Sequence, residues 1–251
     1  MDKIHQLAAI LSEAKDIVAF TGAGISTESE IPDFRSPGGI WEQYDPSELQ
    51  YQNILKEPEV REKYWQLHFQ LYRLLQEVEP NQGHLALVEL EKRGRLRAIV
   101  TQNIDGLHRR AGNSEEKIIR LHGSCLKVEC MDCNSSYSRE QREEFSELEE
   151  GVPPCPNCQG RLKPGTVAFG QRLPRDEIQR AQEEMSRADL CLVLGSSLVV
   201  YPAAGLPGQA LKNGAQLVIV NLDRTALDNQ ARLVIHRKIG EVMGAAISSM
   251  D

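Results

Sequence analysis

Four of the six cysteines fall in two paired motifs, Cys130-x2-Cys133 and Cys155-x2-Cys158, separated by 21 residues. Each pair has the spacing of a knuckle turn, and Pro156-Asn157 inside the second supplies turn chemistry. Four thiolates close a tetrahedral shell around one zinc ion and leave no open position for a reacting water, so a structural metal is expected. Cys125 lies near by but outside the paired spacing, and Cys191, inside an apolar run, reads as a small hydrophobe.

A second set of polar residues recurs directly after apolar runs. Ile17-Val18-Ala19-Phe20 leads into Thr21-Gly22-Ala23-Gly24, and Leu96 to Val100 leads into Gln102-Asn103-Ile104-Asp105. Ile118 to Leu121 leads into His122-Gly123, Leu190 to Leu194 into Gly195-Ser196-Ser197, and Gln216 to Val220 into Asn221-Leu222-Asp223. Glycines at a strand end allow a sharp turn and a close backbone approach to a phosphate, although Gly-x-Gly is equally a plain tight turn. Amides and carboxylates at such ends suit ribose hydroxyls or a carboxamide, or equally a capped turn. His122 at the same edge is either a structural group or a general base that accepts a proton near neutral pH.

The elements that must position these groups alternate strand and helix. Ile4, Leu7, Ala8 and Leu11 repeat at helical spacing, Glu48 to about Glu79 reads mainly as helix broken at Pro58, and His84 to Lys92 is a further helix. Strand character resumes at Gly165 to Phe169, followed by helices over Pro174 to Ala188, Ala204 to Asn213 and Ile239 to Ser248. The pattern predicts an α/β fold, a Rossmann-like doubly wound parallel sheet that binds ligand outside its strand carboxyl ends. Residues 1–35, 81–123 and 165–251 form that domain. A helical insertion, 36–80, and the zinc module, 124–164, which carries an acidic helix from Glu140 to Glu150, form a small domain over the crevice.

The full dinucleotide fingerprint wants Gly or Ala where Thr27 stands, and no ribose-binding acid ends a second strand, which argues against an ordinary hydride-transfer enzyme. With 251 residues and a net charge of -7, the chain suits neither nucleic acid nor an anionic membrane as main partner. Asp2, Lys3, Glu13, Lys15 and Asp16 make the first twenty residues neither signal nor span, so a cytoplasmic protein is expected and zinc is favoured over disulfides.

GAGIS with IPDFR, TQNIDGLH, LHG, two CxxC pairs, FG before LP, GSSLVVYPAA and LVIVN occur in this order. In these motifs the chain resembles the sirtuin family of NAD-dependent protein deacylases over nearly its whole length. The resemblance implies that NAD and an acylated lysine enter one cleft from opposite sides. Gly22, Ala23, Gly24, Thr27, Phe34 and Arg35 would line the NAD site, with Phe34 beside the nicotinamide and Arg35 at the phosphates. Gln102, Asn103, Ile104 and Asp105 would hold the nicotinamide ribose and carboxamide. Gly195, Ser196, Ser197, Asn221, Leu222, Asp223 and Lys238 would hold the adenosine half. His122 would be the general base. Val167 to Gly170, with Phe169, and Leu198 to Tyr201, with Val199, would sandwich the acyl-lysine peptide by backbone pairing. Free lysine, nicotinamide and acyl-ADP-ribose would be the products, and NAD is consumed.

Glu30 replaces a glycine expected before Ile31-Pro32, Ala168 an aromatic, Gln171 a glutamate, and Arg224 a glutamate near the adenosine site. Glutamate at position 30 strains the loop if a positive φ is required there, and Ala168 widens the acyl channel. The helical insertion has no Tyr-x-x-Arg for a succinyl carboxylate, so acetyl or a longer neutral acyl group is favoured. Acylated-lysine proteins or peptides are the expected partners. ADP-ribosyl transfer to protein, NAD hydrolysis, and an NAD-sensing module without turnover are the alternative activities.

Overall fold

The apolar runs assemble into a six-stranded sheet in which every pairing is parallel, seen in a computed structural model that describes residues 2–33, 44–138, 145 and 151–250. The sheet takes β1 (Ile17–Thr21), β2 (Leu96–Thr101), β3 (Ile118–Arg120), β7 (Leu190–Leu194), β8 (Gln216–Val220) and β9 (Leu233–Ile235). Between them in the chain lie β4 (Gly123–Cys130), β5 (Ser136–Ser138) and β6 (Leu162–Thr166), which form a separate three-stranded antiparallel sheet.

The order β3-β2-β1-β7-β8-β9 is that of a doubly wound fold, with both faces of the sheet covered. Alternation along the strands sends Ile17, Ala19, Leu190, Leu192 and Leu194 to one core, and Val18, Phe20, Cys191 and Val193 to the other. Leu7 and Leu11 of α1 (Lys3–Glu13), Leu87 and Leu90 of α4 (Gln82–Lys92), and Val242 and Met243 of α8 (Ile239–Ser248) cover the first face. Ala181 and Met185 of α6 (Arg175–Arg187) and Leu206 and Ala210 of α7 (Leu206–Lys212) cover the second.

The predicted helix from Glu48 to Glu79 is two helices, α2 (Tyr51–Lys56) and α3 (Pro58–Glu77), with Glu57 extended between them and Pro58 at the first position of the second. A short helix, α5 (Leu107–Ala111), follows the tip of β2. The strand expected at Gly165 to Phe169 lies earlier, at Leu162–Thr166, because its partners are the residues of β4. Of the acidic helix expected from Glu140 to Glu150, all but Phe145 lies outside the described residues, and so do Phe34 and Arg35.

Candidate active site

β1 and β7 are neighbours in the middle of the sheet, and their tips meet without side chains between them. Gly22 N donates to Leu194 O at 3.0 Å and Gly24 N to Gly195 O at 2.9 Å. A Cβ on Gly22 would stand 2.6 Å from Gly195 O, and one on Gly195, whose φ is +67°, would stand 2.3 Å from Ile25 N. The glycines are therefore needed for the two tips to close on each other, whatever ligand they also meet. This is the point where the sheet's winding reverses, the place where doubly wound folds bind ligands.

After Gly22 the chain makes two short 3-10 turns, Ala23–Ile25 and Thr27–Ser29, and reaches Glu30 at φ +65°, in the left-handed region. The glycine-favouring conformation expected at this position is present, occupied by glutamate. Glu28, one turn earlier, accepts from Gly240 N at 2.7 Å and so caps the start of α8 beside Lys238.

Beneath the loop lies a buried polar network. Ser26 Oγ donates to Asp105 Oδ2 at 2.8 Å and accepts from Asn103 Nδ2 at 3.1 Å. Asp105 Oδ1 accepts from Leu107 N at 2.9 Å, which caps the start of α5. Asn81 N faces His84 Nδ1 at 3.3 Å, so that nitrogen is the acceptor and His84 carries its proton on Nε2, 3.5 Å from Ser26 Oγ. Burial holds His84 neutral, with its pKa pushed down to about 4 despite the opposing pull of Asp105. His108, 5.1 Å from the His84 ring, is pushed well below the usual histidine range, by burial first and then by its neighbours His84 and Arg120. Thr21 gives its hydroxyl proton to Thr101 at 2.8 Å, so His108 Nε2 donates to Thr21 at 3.0 Å and Nδ1 is left without a partner among the described residues.

His122 sits where β3 gives way to β4. Its Nδ1 lies 3.0 Å from Gln102 O, and a carbonyl only accepts, so the proton is on Nδ1 and Nε2 carries the free lone pair. Burial lowers the pKa of the ring, against the hydrogen bond to Gln102, which raises it. The result is a neutral imidazole with one basic nitrogen. Gln102 contributes through its carbonyl here, while its amide donates to Ser196 Oγ at 2.8 Å.

A cleft of about 740 Å³ joins these groups. Gly22, Ala23, Gly24 and Thr27 line it, together with Gln102, Asn103, Ile104 and His122. Gly195, Ser196, Ser197, Asn221, Leu222, Asp223 and Lys238 line it as well, with Val167, Phe169, Gly170 and Val199. Asp105 does not; it borders a small adjoining cavity of about 30 Å³ with Asn103, Ile104 and Pro32. The Leu198 side chain is buried in the second core and is not among the residues that line the cleft. Neither 167–170 nor 198–201 is part of a sheet, although Val167 N donates to His122 O and Tyr51 N to Phe169 O. Val199 and Tyr201, 57% and 74% exposed, stand on the rim as apolar surface.

The four paired cysteines meet at the end of the small sheet, with all four sulfurs within 4.8 Å of one another. Cys130 Sγ lies 3.6 Å from Cys158 Sγ and Cys133 Sγ 3.7 Å from Cys155 Sγ. Tetrahedral zinc at about 2.3 Å from each sulfur spaces them by about 3.8 Å, so the set fits the ion. The N–H groups of Asp132 and Cys133 point at Cys130 Sγ, that of Gly160 at Cys158 Sγ, and Asn157 Nδ2 at Cys133 Sγ, donors that stabilise thiolates.

Ser26, Glu28, His84 and His108 escape the sequence reading. Only Asn81-x-x-His84 leaves a signal, the spacing of a capping box, which forms at the start of α4.

The model of the Sir2 family matches residues 22–202. The NAD-dependent protein deacetylase 1 of Bradyrhizobium diazoefficiens is 40% identical over 98% of this chain and 96% of its own length. The NAD-dependent protein deacylase 2 of Archaeoglobus fulgidus is 42% identical over 96% and 94%. Among solved structures, a Sir2 homolog–NAD complex superposes with a TM-score of 0.85 at 38% identity, over 99% of this chain and 93% of that one. A Sir2 complex with deacetylated p53 peptide and 3'-O-acetyl ADP ribose gives 0.86 at 35% identity, over the full length of both. The chain that builds this glycine-closed strand crossing, the single basic nitrogen of His122 and the four-thiolate cluster belongs to the Sir2 family.

Proposed function

We infer that this protein is an NAD-dependent protein-lysine deacetylase that yields nicotinamide and O-acetyl-ADP-ribose. The observation that carries the reading is the fixed tautomer of His122, whose Nε2 lone pair belongs to the same cleft as the tips of β1, β2, β7 and β8. NAD bound there supplies a labile bond to nicotinamide and a ribose carbon that receives the acyl group. His122 Nε2 takes a proton from a ribose hydroxyl, and Nδ1–H stays on the Gln102 carbonyl throughout. Asn103, held by Ser26 and backed by Asp105, orients the nicotinamide end. Gly22 to Gly24 with Thr27 meet the phosphates, and Ser196, Ser197, Asn221 and Lys238 the adenosine end. The backbone of 167–170 and 198–201 receives the acyl-lysine peptide between them.

Segments 1–35, 81–123 and 165–251 act as the NAD-binding domain, and 36–80 with 124–164 as the small domain. Cys130, Cys133, Cys155 and Cys158 hold one structural zinc ion, through which no step passes. No described helix is long and apolar enough to cross a membrane, and a cytoplasmic setting suits a protein with reduced, zinc-binding cysteines. The test mixes the protein with NAD and an acetyl-lysine peptide and follows nicotinamide. Release is expected only with both present and is lost in His122→Ala. Label from NAD that stays on protein, or appears as plain ADP-ribose without peptide, would replace this reading with ADP-ribosyl transfer or hydrolysis.

A further inference from the structure

The wall of the cleft formed by α3 and β6 carries a polar group that the chemistry above does not use. Tyr64, Leu67, His68 and Leu71 project from one face of α3 at i, i+3, i+4 and i+7, and all four line the cleft beside Leu49, Thr166 and Ala168. Within this apolar wall Tyr64 Oη lies 2.7 Å from Thr166 Oγ1, and Thr166 Oγ1 lies 2.9 Å from His68 Nε2. His68 Nδ1 lies 2.8 Å from the Tyr64 carbonyl. Tyr64, His68 and Thr166 are each at least nine-tenths buried. Thr166 is also next to the reacting centre, because the following residue, Val167, donates its N–H to the carbonyl of His122.

The direction of these bonds follows from counting protons. A carbonyl only accepts, so His68 carries its proton on Nδ1 and its Nε2 accepts. Thr166 must then donate its hydroxyl proton to His68, and Tyr64 must donate its own to Thr166. Burial raises the pKa of Tyr64 above its ordinary value, which keeps the phenol protonated. Every proton of the triad is thereby committed, and the oxygens of Tyr64 and Thr166 offer lone pairs alone. No lysine or arginine stands among the described residues of this wall. Lys163 of β6 gives its ammonium to the Pro164 and Thr166 carbonyls and to Glu129 and is not among the residues lining the cleft.

We propose that the Tyr64–Thr166–His68 triad is a specificity element that selects a short neutral acyl group bearing a hydroxyl donor and rejects one ending in a carboxylate. A hydroxyl on the acyl chain donates into the lone pairs of the triad, beside the apolar side chains of Leu49, Leu67, Leu71 and Ala168. A carboxylate in the same place would be desolvated against lone pairs with no cation of the wall's described residues to meet it. The proposal rests on the deacylase reading.

The experiment measures kcat/KM for peptides carrying acetyl-, butyryl-, 3-hydroxybutyryl- and succinyl-lysine, with NAD saturating. The 3-hydroxybutyryl peptide is expected to exceed the butyryl peptide by about 3- to 10-fold, the value of one net hydrogen bond. The succinyl peptide is expected at least about 100-fold below butyryl. In Thr166→Val and Tyr64→Phe the hydroxybutyryl-to-butyryl ratio should fall to about one, and this ratio is internal to each variant, so it does not depend on how much of the variant folds. A wild-type ratio of one, or succinyl turned over as well as butyryl, would overturn the proposal while leaving the deacylase reading intact. Failure of the acetyl peptide itself would remove that reading, and the proposal with it.

Discussion

Glu30 and His122 show how much a single residue's surroundings decide. Glu30 adopts φ +65°, a conformation that costs an L-residue with a side chain about 1 kcal/mol or more. Glu30→Gly removes that cost and adds some unfolded-state entropy, so a net gain on the order of 0.5–1 kcal/mol is expected, read as a rise of about 1–3 °C in thermal midpoint. An unchanged or lower midpoint would mean that the glutamate makes a compensating contact. For His122 the sign runs the other way from a paired histidine. Burial lowers its pKa from 6.5, and the neutral ring is the form that the proposed reaction uses. The acid limb of kcat/KM should therefore have its midpoint below 6.5, with activity held into mildly acidic solution. A midpoint above 6.5 would contradict the assigned environment.

At the scale of elements, α4 holds the loop after β1 from below through His84, and this makes the fold sensitive to acid. The folded pKa of His84 is about 4 against 6.5 unfolded, so its contribution is complete above 6.5 and is lost as pH falls toward 4. Linkage gives a loss of about 2 kcal/mol between about pH 7.5 and about pH 5, measurable by denaturant unfolding, and His84→Gln should flatten that slope. The small sheet depends instead on its thiolates. Chelation of zinc should lower the thermal midpoint by at least about 5 °C, and Cys158→Ser should make the protein lose the metal at lower chelator concentration. Elements built on local pattern were the legible ones: apolar runs, interrupted by Arg97 in β2, mark β1, β2, β7 and β8 because both faces of a parallel sheet are buried. The start of β6 is hidden because Pro164 lies inside it, a residue that argues against a strand in any sequence reading. The His84 and His108 contacts were illegible for a different reason, since their partners lie 58 and 87 residues away.

At the scale of the whole molecule, the site exists because the two halves of the sheet touch at their central tips through backbone alone. Gly195 is where that contact is tightest, with Ile25 N at 2.3 Å and Gly24 C at 2.5 Å from the position of a Cβ. Neither is the end of a flexible side chain, so Gly195→Ala must push the loop after β1 away from β7 or twist the tip of β7 itself. A second glycine separates this effect from simple backbone strain. Gly94, between α4 and β2, has φ +69°, nearly that of Gly195 at +67°, and a Cβ there meets nothing within 4 Å. Gly94→Ala should cost only the conformational term, about 1 kcal/mol, and leave nicotinamide release at the wild-type rate. Gly195→Ala should cost at least about 2 kcal/mol more than that, from overpacking against fixed backbone. It should also raise the KM for NAD by at least about tenfold in the fraction that folds, because Gly22 to Thr27 would no longer face Ser196 across the cleft. Thermal unfolding and NAD-dependent nicotinamide release on the two variants decide the matter. Equal losses of stability with both activities retained would mean that the crossing of the tips is incidental to the site.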